Sequence, residues 1–224
     1  MAQSALNWSE RHDLAMTSQS PNIRVKPDSH LTTLRRRAAT CRACPLWKNG
    51  TQTVFGEGPS TARIVFVGEV PGDEEDLQGR PFVGPAGKLL RRVLDEIGID
   101  AAKVYFTNVV KHFKWEPQGK RRLHKKPSPR EIAACRPWLD GELNLLRPDV
   151  LVCLGATAAQ TLLGRDFRVS LQRGKRIASP LARFVMATVH PSSILRAPTE
   201  NDRRLAREQF ARDLKNVAKA ARAA

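Results

Sequence analysis

Two polar motifs that are far apart in the sequence each directly follow a short apolar run. One begins at Gly68-Glu69 after residues 63–67, and the other begins at His190 after residues 184–189. The apolar runs predict buried strands, and ligands of an open α/β sheet lie outside the carboxyl ends of its parallel strands. A carboxylate and an imidazole at that edge can orient a small polar ligand and exchange protons with it. The sequence therefore predicts a polar site where these strands end.

Two further residue types extend this predicted site. The first motif continues into a glycine-rich loop in which Phe82 is followed by Gly84, so the site gains a flat apolar wall and a position of close backbone approach. Asn108 ends another apolar run, and its amide can donate and accept hydrogen bonds at the same ligand edge. A strand-end asparagine that only caps a turn is an equally good reading of Asn108 from the residues alone.

The four cysteines form one close pair, Cys41 and Cys44, and two distant residues, Cys135 and Cys153. A zinc ribbon would need a second close pair, and a redox pair would need neither distant cysteine. Disulfides are expected to be disfavoured because the N-terminal residues lack the basic and apolar pattern of an export signal. From the spacing alone, a four-thiolate metal site is favoured over four unrelated cysteines.

The charge balance points to a polyanionic partner. The 224 residues carry a net charge of +16, and residues 111–130 hold eight lysines and arginines with a single acid, Glu116. Each cation placed on a phosphate releases condensed counterions, so nucleic acid is favoured over plain solubility as the reason for this charge. No apolar run approaches the roughly 20 residues that span a bilayer. We therefore expect no membrane partner, and a cytoplasmic, nucleoid-associated protein of bacterial type.

The elements that must position these residues alternate between strand and helix. The predicted strands are residues 63–68, 103–108, 149–154 and 184–189, and the predicted helices are residues 31–43, 87–97, 129–146, 156–163 and 202–221. Such alternation implies a mostly parallel sheet with helices on both faces. Residues 1–30 are expected to be an N-terminal tail, partly disordered, and residues 31–224 one domain.

The acidic, glycine-rich first motif together with His190-Pro191-Ser192 resembles the uracil-DNA glycosylase superfamily. The segment Lys120-Arg121-Arg122-Leu123-His124-Lys125 is similar to the basic insertion loop of the UdgX-type glycosylases, which are related to the iron–sulfur family-4 enzymes. The resemblance covers roughly residues 38 to 216. It implies a three-layer α/β/α sandwich around a central four-stranded, mostly parallel sheet, and a monomer that acts on uracil-containing DNA, with single strands preferred.

The resemblance also implies a mechanism in which uracil is excised and the abasic site is captured covalently. The implied catalytic residues are His124 as the nucleophile at C1′, Glu69 as its orienting group, Asp73 near the sugar and His190 as a donor to uracil O2. Implied base contacts are Phe82, Asn108, Val70, Gly68 and Gly84. Implied DNA contacts are Lys120, Arg121, Arg122, Ser192 and Arg196. The implied cofactor is a structural [4Fe–4S] cluster held by Cys41, Cys44, Cys135 and Cys153.

One position departs from the family pattern. UdgX-type proteins typically carry glutamine where this chain has Val70, and ordinary family-4 enzymes carry alanine there. Because valine makes no side-chain hydrogen bond, the rate, base preference or capture efficiency is expected to differ. Two alternatives remain open: an ordinary family-4-like glycosylase that turns over, with His124 only binding DNA, and a non-catalytic module that binds damaged DNA.

Overall fold

The computed structural model describes residues 27–223 and contains one central sheet and one separate hairpin. The strands are β1 (Ile64–Gly68), β2 (Val104–Asn108), β3 (Trp115–Gln118), β4 (Arg121–His124), β5 (Val150–Leu154) and β6 (Phe184–Thr188). In the central sheet the order is β2-β1-β5-β6 and every neighbouring pair is parallel. All four strands therefore end at the same edge of the sheet.

Helices cover both faces of this sheet. They are α1 (Pro27–Ala38), α2 (Asp73–Gln78), α3 (Pro85–Glu96), α4 (Pro129–Leu146), α5 (Ala156–Leu163), α6 (Val169–Gln172), α7 (Pro191–Leu195) and α8 (Glu200–Arg222), with 3₁₀ turns at Pro45–Lys48 and Ala101–Lys103. One face packs on α1, α4 and α5, and the other packs on α3, α7 and α8. Because both faces are buried, the strands read as continuous apolar runs.

Local sequence signals fix the long helices. Ser128 accepts a hydrogen bond from the Glu131 backbone N–H at 3.3 Å, and the Glu131 carboxylate accepts one from the Ser128 N–H at 2.6 Å. This capping box starts α4, and Thr199 with Asp202 starts α8 in the same way. Helices α4 and α5 have the bounds that the sequence predicts, and the four sheet strands agree within one residue at each end.

The hairpin β3–β4 is the largest element that the sequence does not predict. Its strands pair antiparallel, with Trp115 opposite His124, and its tight turn carries Gly119 at a positive φ of 59°. The sequence indicates only a basic loop here, because short polar strands that contain Pro117 lack the apolar alternation of a half-buried strand. The hairpin places His124 at a strand end rather than in a free loop.

The predicted fold class is confirmed: a four-stranded parallel sheet lies between two helical layers. Helix α1 begins at Pro27 and ends at Ala38, whereas the sequence predicts residues 31–43. The rest of the predicted tail, residues 1–26, lies outside the described residues. None of the helices within residues 27–223 combines the length and apolar character needed to cross a bilayer.

Candidate active site

The ends of the four parallel strands bring the predicted polar residues together. Gly68-Glu69 follows β1, Asn108 ends β2, Gly155 follows β5 and His190 follows β6. The Thr157 hydroxyl, in the first turn of α5, donates a hydrogen bond to the Glu69 carboxylate. A Cβ placed on Gly155 would lie 3.0 Å from the His190 Cβ, so these two strand ends are in close contact.

Gly68, the Phe82 ring and the Asn108 amide meet at the end of β1, and we call the surface that they form the slot. The Phe82 ring lies 5.8 Å from the Phe106 ring and 6.2 Å from the His190 ring, centroid to centroid. A Cβ on Gly68 would come within 2.3 Å of the Asn108 Oδ1 and 2.7 Å of the Phe82 Cζ. Glycine is therefore required at position 68, because any side chain would fill the space between the aromatic wall and the amide.

The backbone of Phe82 is held in an unusual conformation. Its φ of 57° lies in the left-handed region, which costs a non-glycine residue roughly 1–2 kcal/mol. A Cβ on Gly87 would come within 1.9 Å of the Phe82 carbonyl oxygen, so α3 can approach only because residue 87 is glycine. The ring of this strained residue lies beside the His190 ring, and such strain commonly marks functional sites.

Glu75, in α2, ties the two halves of the first motif together. Its carboxylate accepts hydrogen bonds from the backbone N–H of Gly84 at 2.9 Å and from that of Gly72 at 3.1 Å. Gly84 is also the N-cap of α3. The loop that carries Phe82 is therefore closed by a buried carboxylate, a role that the acidic run in the sequence does not reveal.

His190 is a half-buried imidazole that is neutral at neutral pH. Burial lowers its pKa to about 4, and the nearby charges of His124 and Arg196 act in the same direction. The backbone N–H of Ser192 donates to the His190 Nδ1 at 3.2 Å, and the Ser192 hydroxyl lies 2.8 Å from the same nitrogen. Because Nδ1 accepts from a backbone N–H, the ring proton belongs on Nε2. His190 can thus donate one hydrogen bond through Nε2.

His124 lies beside this pocket at the end of β4. Partial desolvation lowers the pKa of its imidazole, Glu69 opposes that shift, and Arg196 reinforces it. Its ring centroid is 6.0 Å from the Phe113 ring, while the residue itself stays exposed. An accessible imidazole that is neutral at neutral pH and near a carboxylate can act as a nucleophile.

Arg122 holds the hairpin onto α2. Its Nε lies 2.5 Å from the Asp73 carboxylate and its Nη1 lies 2.6 Å from that of Asp76, which is fully buried. Its guanidinium also lies over the rings of Phe113 and Trp115, at 5.2 and 5.6 Å. Arg122, predicted as a DNA contact, and Asp73, predicted as a carboxylate near the sugar, therefore bind each other.

The other predicted DNA contacts differ in their surroundings. Lys120 and Arg121 are exposed on the hairpin, and Arg196 is exposed at the end of α7. Ser192 is half-buried and makes its hydrogen bonds to His190. Val70 is buried among apolar side chains of the α4 face, where a polar side chain would need a partner.

Three of the four cysteines are grouped. Burial raises the pKa of Cys135 to about 11 and that of Cys44 above its usual value, and the charges of neighbouring cysteines raise both further. Each grouped sulfur has an N–H donor: Lys111 N to Cys135 at 3.2 Å, Trp138 Nε1 to Cys41 at 3.2 Å and the Leu46 backbone to Cys44. N–H donors to sulfur are typical of thiolate metal sites.

Cys153 is not brought to this group. It lies within β5, opposite Val67 and Ala187, and burial alone raises its pKa to about 12. A buried imidazole that the sequence analysis missed, His112, adjoins the group instead: its Nε2 is 3.0 Å from the Thr53 hydroxyl, which donates to the Ala38 carbonyl. Within residues 27–223, no three His, Cys, Asp or Glu side chains already stand in the geometry of a metal-ion site.

Comparison with known proteins agrees with this arrangement. Residues 55–215 match the Uracil DNA glycosylase superfamily. The type-4 uracil-DNA glycosylase of Thermotoga maritima is 43% identical over 175 residues, 78% of this chain and 88% of that protein. The type-4 enzyme of Archaeoglobus fulgidus is 39% identical over 190 residues, 81% of this chain and 88% of that protein. The type-5 enzyme of Thermus thermophilus is 32% identical over 193 residues, 79% of this chain and 81% of that protein.

Proposed function

Because the chain belongs to the uracil-DNA glycosylase superfamily, we propose that it excises uracil from DNA and retains the abasic sugar on His124. The observation that carries this proposal is the convergence of His124, Glu69 and His190 beside the slot between Phe82 and Asn108. A glycosylase that only released uracil would need the slot and His190, but it would have no use for a second neutral imidazole beside the carboxylate.

The slot suits a flipped uracil. The base stacks on the Phe82 ring, while the Asn108 amide accepts from uracil N3–H and donates to O4. His190 Nε2–H donates to O2, where negative charge grows as the base departs. Since the His190 pKa is about 4, the ring stays neutral and keeps this donor in place across the physiological pH range.

Capture follows from the position of His124. The C1′–N1 bond breaks and its electron pair leaves with the uracil anion, so positive charge develops at C1′. A lone pair of the neutral His124 ring then forms the new C1′–N bond, and the ring proton on the other nitrogen passes to Glu69. No water is consumed in this step. We also propose that exposed Lys120, Arg121 and Arg196 contact phosphates and that single-stranded DNA, which needs no unpairing, is the preferred substrate.

We further propose that Cys41, Cys44 and Cys135 bind a [4Fe–4S] cluster. Three grouped sulfurs, each with an N–H donor, support this assignment, whereas the place of Cys153 within β5 argues against its predicted role as a ligand. His112 is the candidate for the fourth position, because burial lowers its pKa and favours the neutral ring that binds metals. Such a cluster would pin the segment after α1 to α4.

Ordinary turnover is the second candidate function. The type-4 relatives are similar over most of their length, and Val70 supplies no side-chain hydrogen bond near the pocket. In this case His124 only contacts DNA, and water attacks C1′.

A denaturing gel with uracil-containing single-stranded DNA separates the two candidates. We expect a shifted band that survives heat and SDS. His124→Ser should abolish this band, while alkali-sensitive free product continues to form past one turnover. Lys125→Ala, on the next residue, is the matched control and should retain the band. Free product without any stable band in the parental protein would establish ordinary turnover, and an undiminished band in His124→Ser would overturn the role of His124.

A further inference from the structure

A fully buried lysine, Lys111, binds the backbone of Asn108 at the proposed uracil slot. The Lys111 side chain is 1% exposed, and its ammonium has three acceptors: Glu142 Oε2 at 2.5 Å, Thr107 Oγ1 at 2.6 Å and the Asn108 carbonyl oxygen at 2.7 Å. All three ammonium hydrogens are therefore used within the protein. Because none remains for a ligand, Lys111 does not bind substrate itself.

Glu142, on α4, is equally buried and fully satisfied. Its Oε1 accepts from the Tyr105 hydroxyl and the Gly56 N–H, both at 2.9 Å, and its Oε2 accepts from the Thr107 hydroxyl at 2.8 Å. Burial raises the pKa of Tyr105, so the phenol remains a donor. A buried ion pair is weak evidence for stability, since desolvation of two charges offsets most of their attraction. The geometry around the pair indicates a different role.

The ammonium holds the turn that follows β2. Its bond to the Asn108 carbonyl fixes the peptide plane next to the base-reading amide. In the same turn, Val109 N donates to the Gly68 carbonyl and Val110 N donates to the Glu69 carbonyl, both at 3.0 Å. The turn therefore aligns Asn108 with the strand end that carries Gly68 and Glu69.

The same lysine links this turn to the grouped cysteines. Its backbone N–H donates to Cys135 Sγ at 3.2 Å, and its side chain binds Glu142. Cys135 and Glu142 both lie on α4, seven residues and about two turns apart, so they share one face of the helix. Helix α4 therefore binds Lys111 at two positions, through Cys135 and through Glu142.

We propose that Lys111 is a positioning residue that transmits the placement of α4 to Asn108 and so sets the uracil-reading geometry of the pocket. The proposal rests on the proposed function, because it assumes that Asn108 reads uracil. Removal of the ammonium should release the Asn108 peptide plane, so that the amide no longer matches both N3–H and O4.

Lys111→Met tests this role with a side chain of similar length and no charge. The readouts are the affinity for free uracil, measured as inhibition of excision and by calorimetry, and the affinity for undamaged single-stranded DNA. Two misaligned hydrogen bonds predict a loss of about tenfold in uracil affinity. DNA affinity should stay unchanged, because Lys111 reaches no phosphate.

Two further variants separate positioning from stability. Glu142→Gln keeps the ammonium on the Asn108 carbonyl, so uracil affinity should be retained even though the protein melts at a lower temperature. The double variant Lys111→Met/Glu142→Gln has no buried charge and should regain melting temperature while uracil affinity stays low. If Lys111→Met does not fold, the isosteric Thr107→Val removes one ammonium acceptor and should lower uracil affinity selectively by about threefold.

Each outcome has a distinct meaning. Parental uracil affinity in a folded Lys111→Met, in the double variant or in Thr107→Val overturns the positioning role. The positioning role is also overturned if uracil affinity falls in proportion to melting temperature across all variants, including Glu142→Gln. If the parental protein neither excises uracil nor binds it, the proposed function has failed, and the positioning role fails with it.

Discussion

Replacement of Arg122 by alanine should loosen the hairpin without removing a DNA contact. The sequence analysis places Arg122 on a phosphate, but in the structure its guanidinium binds Asp73 at 2.5 Å and the buried Asp76 at 2.6 Å. In Arg122→Ala, Asp76 keeps the hydrogen bonds from the Thr51 N–H and hydroxyl, at 2.9 and 2.6 Å, and loses its only cationic partner in the described structure. The change therefore weakens the attachment of β3–β4 to α2.

The expected loss of hairpin stability follows from the charge-assisted hydrogen bond between Arg122 and the buried Asp76 carboxylate. Such bonds contribute about 1.5–3 kcal/mol each, and a loss of about 2 kcal/mol lowers the docked-to-undocked ratio of the hairpin about thirtyfold. Hydrogen exchange of residues 115–124 should accelerate accordingly. The salt dependence of single-stranded DNA binding should keep its slope, whereas a lost phosphate contact would reduce that slope by about 0.7.

Arg121→Ala is the matched control, because Arg121 is the exposed neighbour on β4. It should reduce the slope of log affinity against log salt by about 0.7 and leave hydrogen exchange of the hairpin unchanged. The reasoning is refuted if Arg122→Ala shows the reduced slope together with parental exchange rates. That pair of results would mean that Arg122 leaves Asp76 and meets DNA instead.

Two further predictions concern pH and metal. The His190 pKa of about 4 in the folded protein lies below its value of 6.5 in the unfolded chain. The neutral His190 ring therefore contributes its full stability above pH 6.5, and this contribution is lost as pH falls toward 4. In His190→Asn, the free energy of unfolding, measured with denaturant, should lose up to about 3 kcal/mol of this pH dependence, and equal pH profiles for the two proteins would contradict the prediction. Protein purified without oxygen should contain about four irons per chain. Cys41→Ala and Cys135→Ala should lose the iron, whereas Cys153→Ala should keep it. Iron loss in Cys153→Ala but not in His112→Ala would reverse the ligand assignment.

The central sheet is predictable because periodicity and burial act locally. Residues 150–154 are an unbroken apolar run, as a strand buried on both faces requires, and the start of α4 follows from the capping box of Ser128 and Glu131. Helix α2 escapes prediction because it has only six residues, and its acidic run is equally compatible with a loop. Propensity carries little information over so short a segment.

The contacts within the candidate site could not be predicted from the sequence for a different reason. Residue type predicts that Arg122 is charged, but only the fold decides whether its partner is a phosphate or Asp76. In the same way, cysteine spacing cannot reveal that Cys153 lies within β5 while Cys135, on α4, lies near Cys41 and Cys44. Lys111 and Glu142 are 31 residues apart, and no local pattern marks them as partners.

The two ends of the β3–β4 hairpin are hydrogen-bonded to each other. Lys125 N donates to the Lys114 carbonyl at 2.8 Å, so the chain enters and leaves β3–β4 at a single point. The slot formed by Gly68, Phe82 and Asn108 belongs entirely to the sheet and its loops, whereas His124 belongs to the hairpin. Insertion or deletion of that one segment can therefore add or remove His124 while Gly68, Phe82 and Asn108 stay in place. On the proposed mechanism, a glycosylase that turns over and one that captures its product would differ by this one inserted segment.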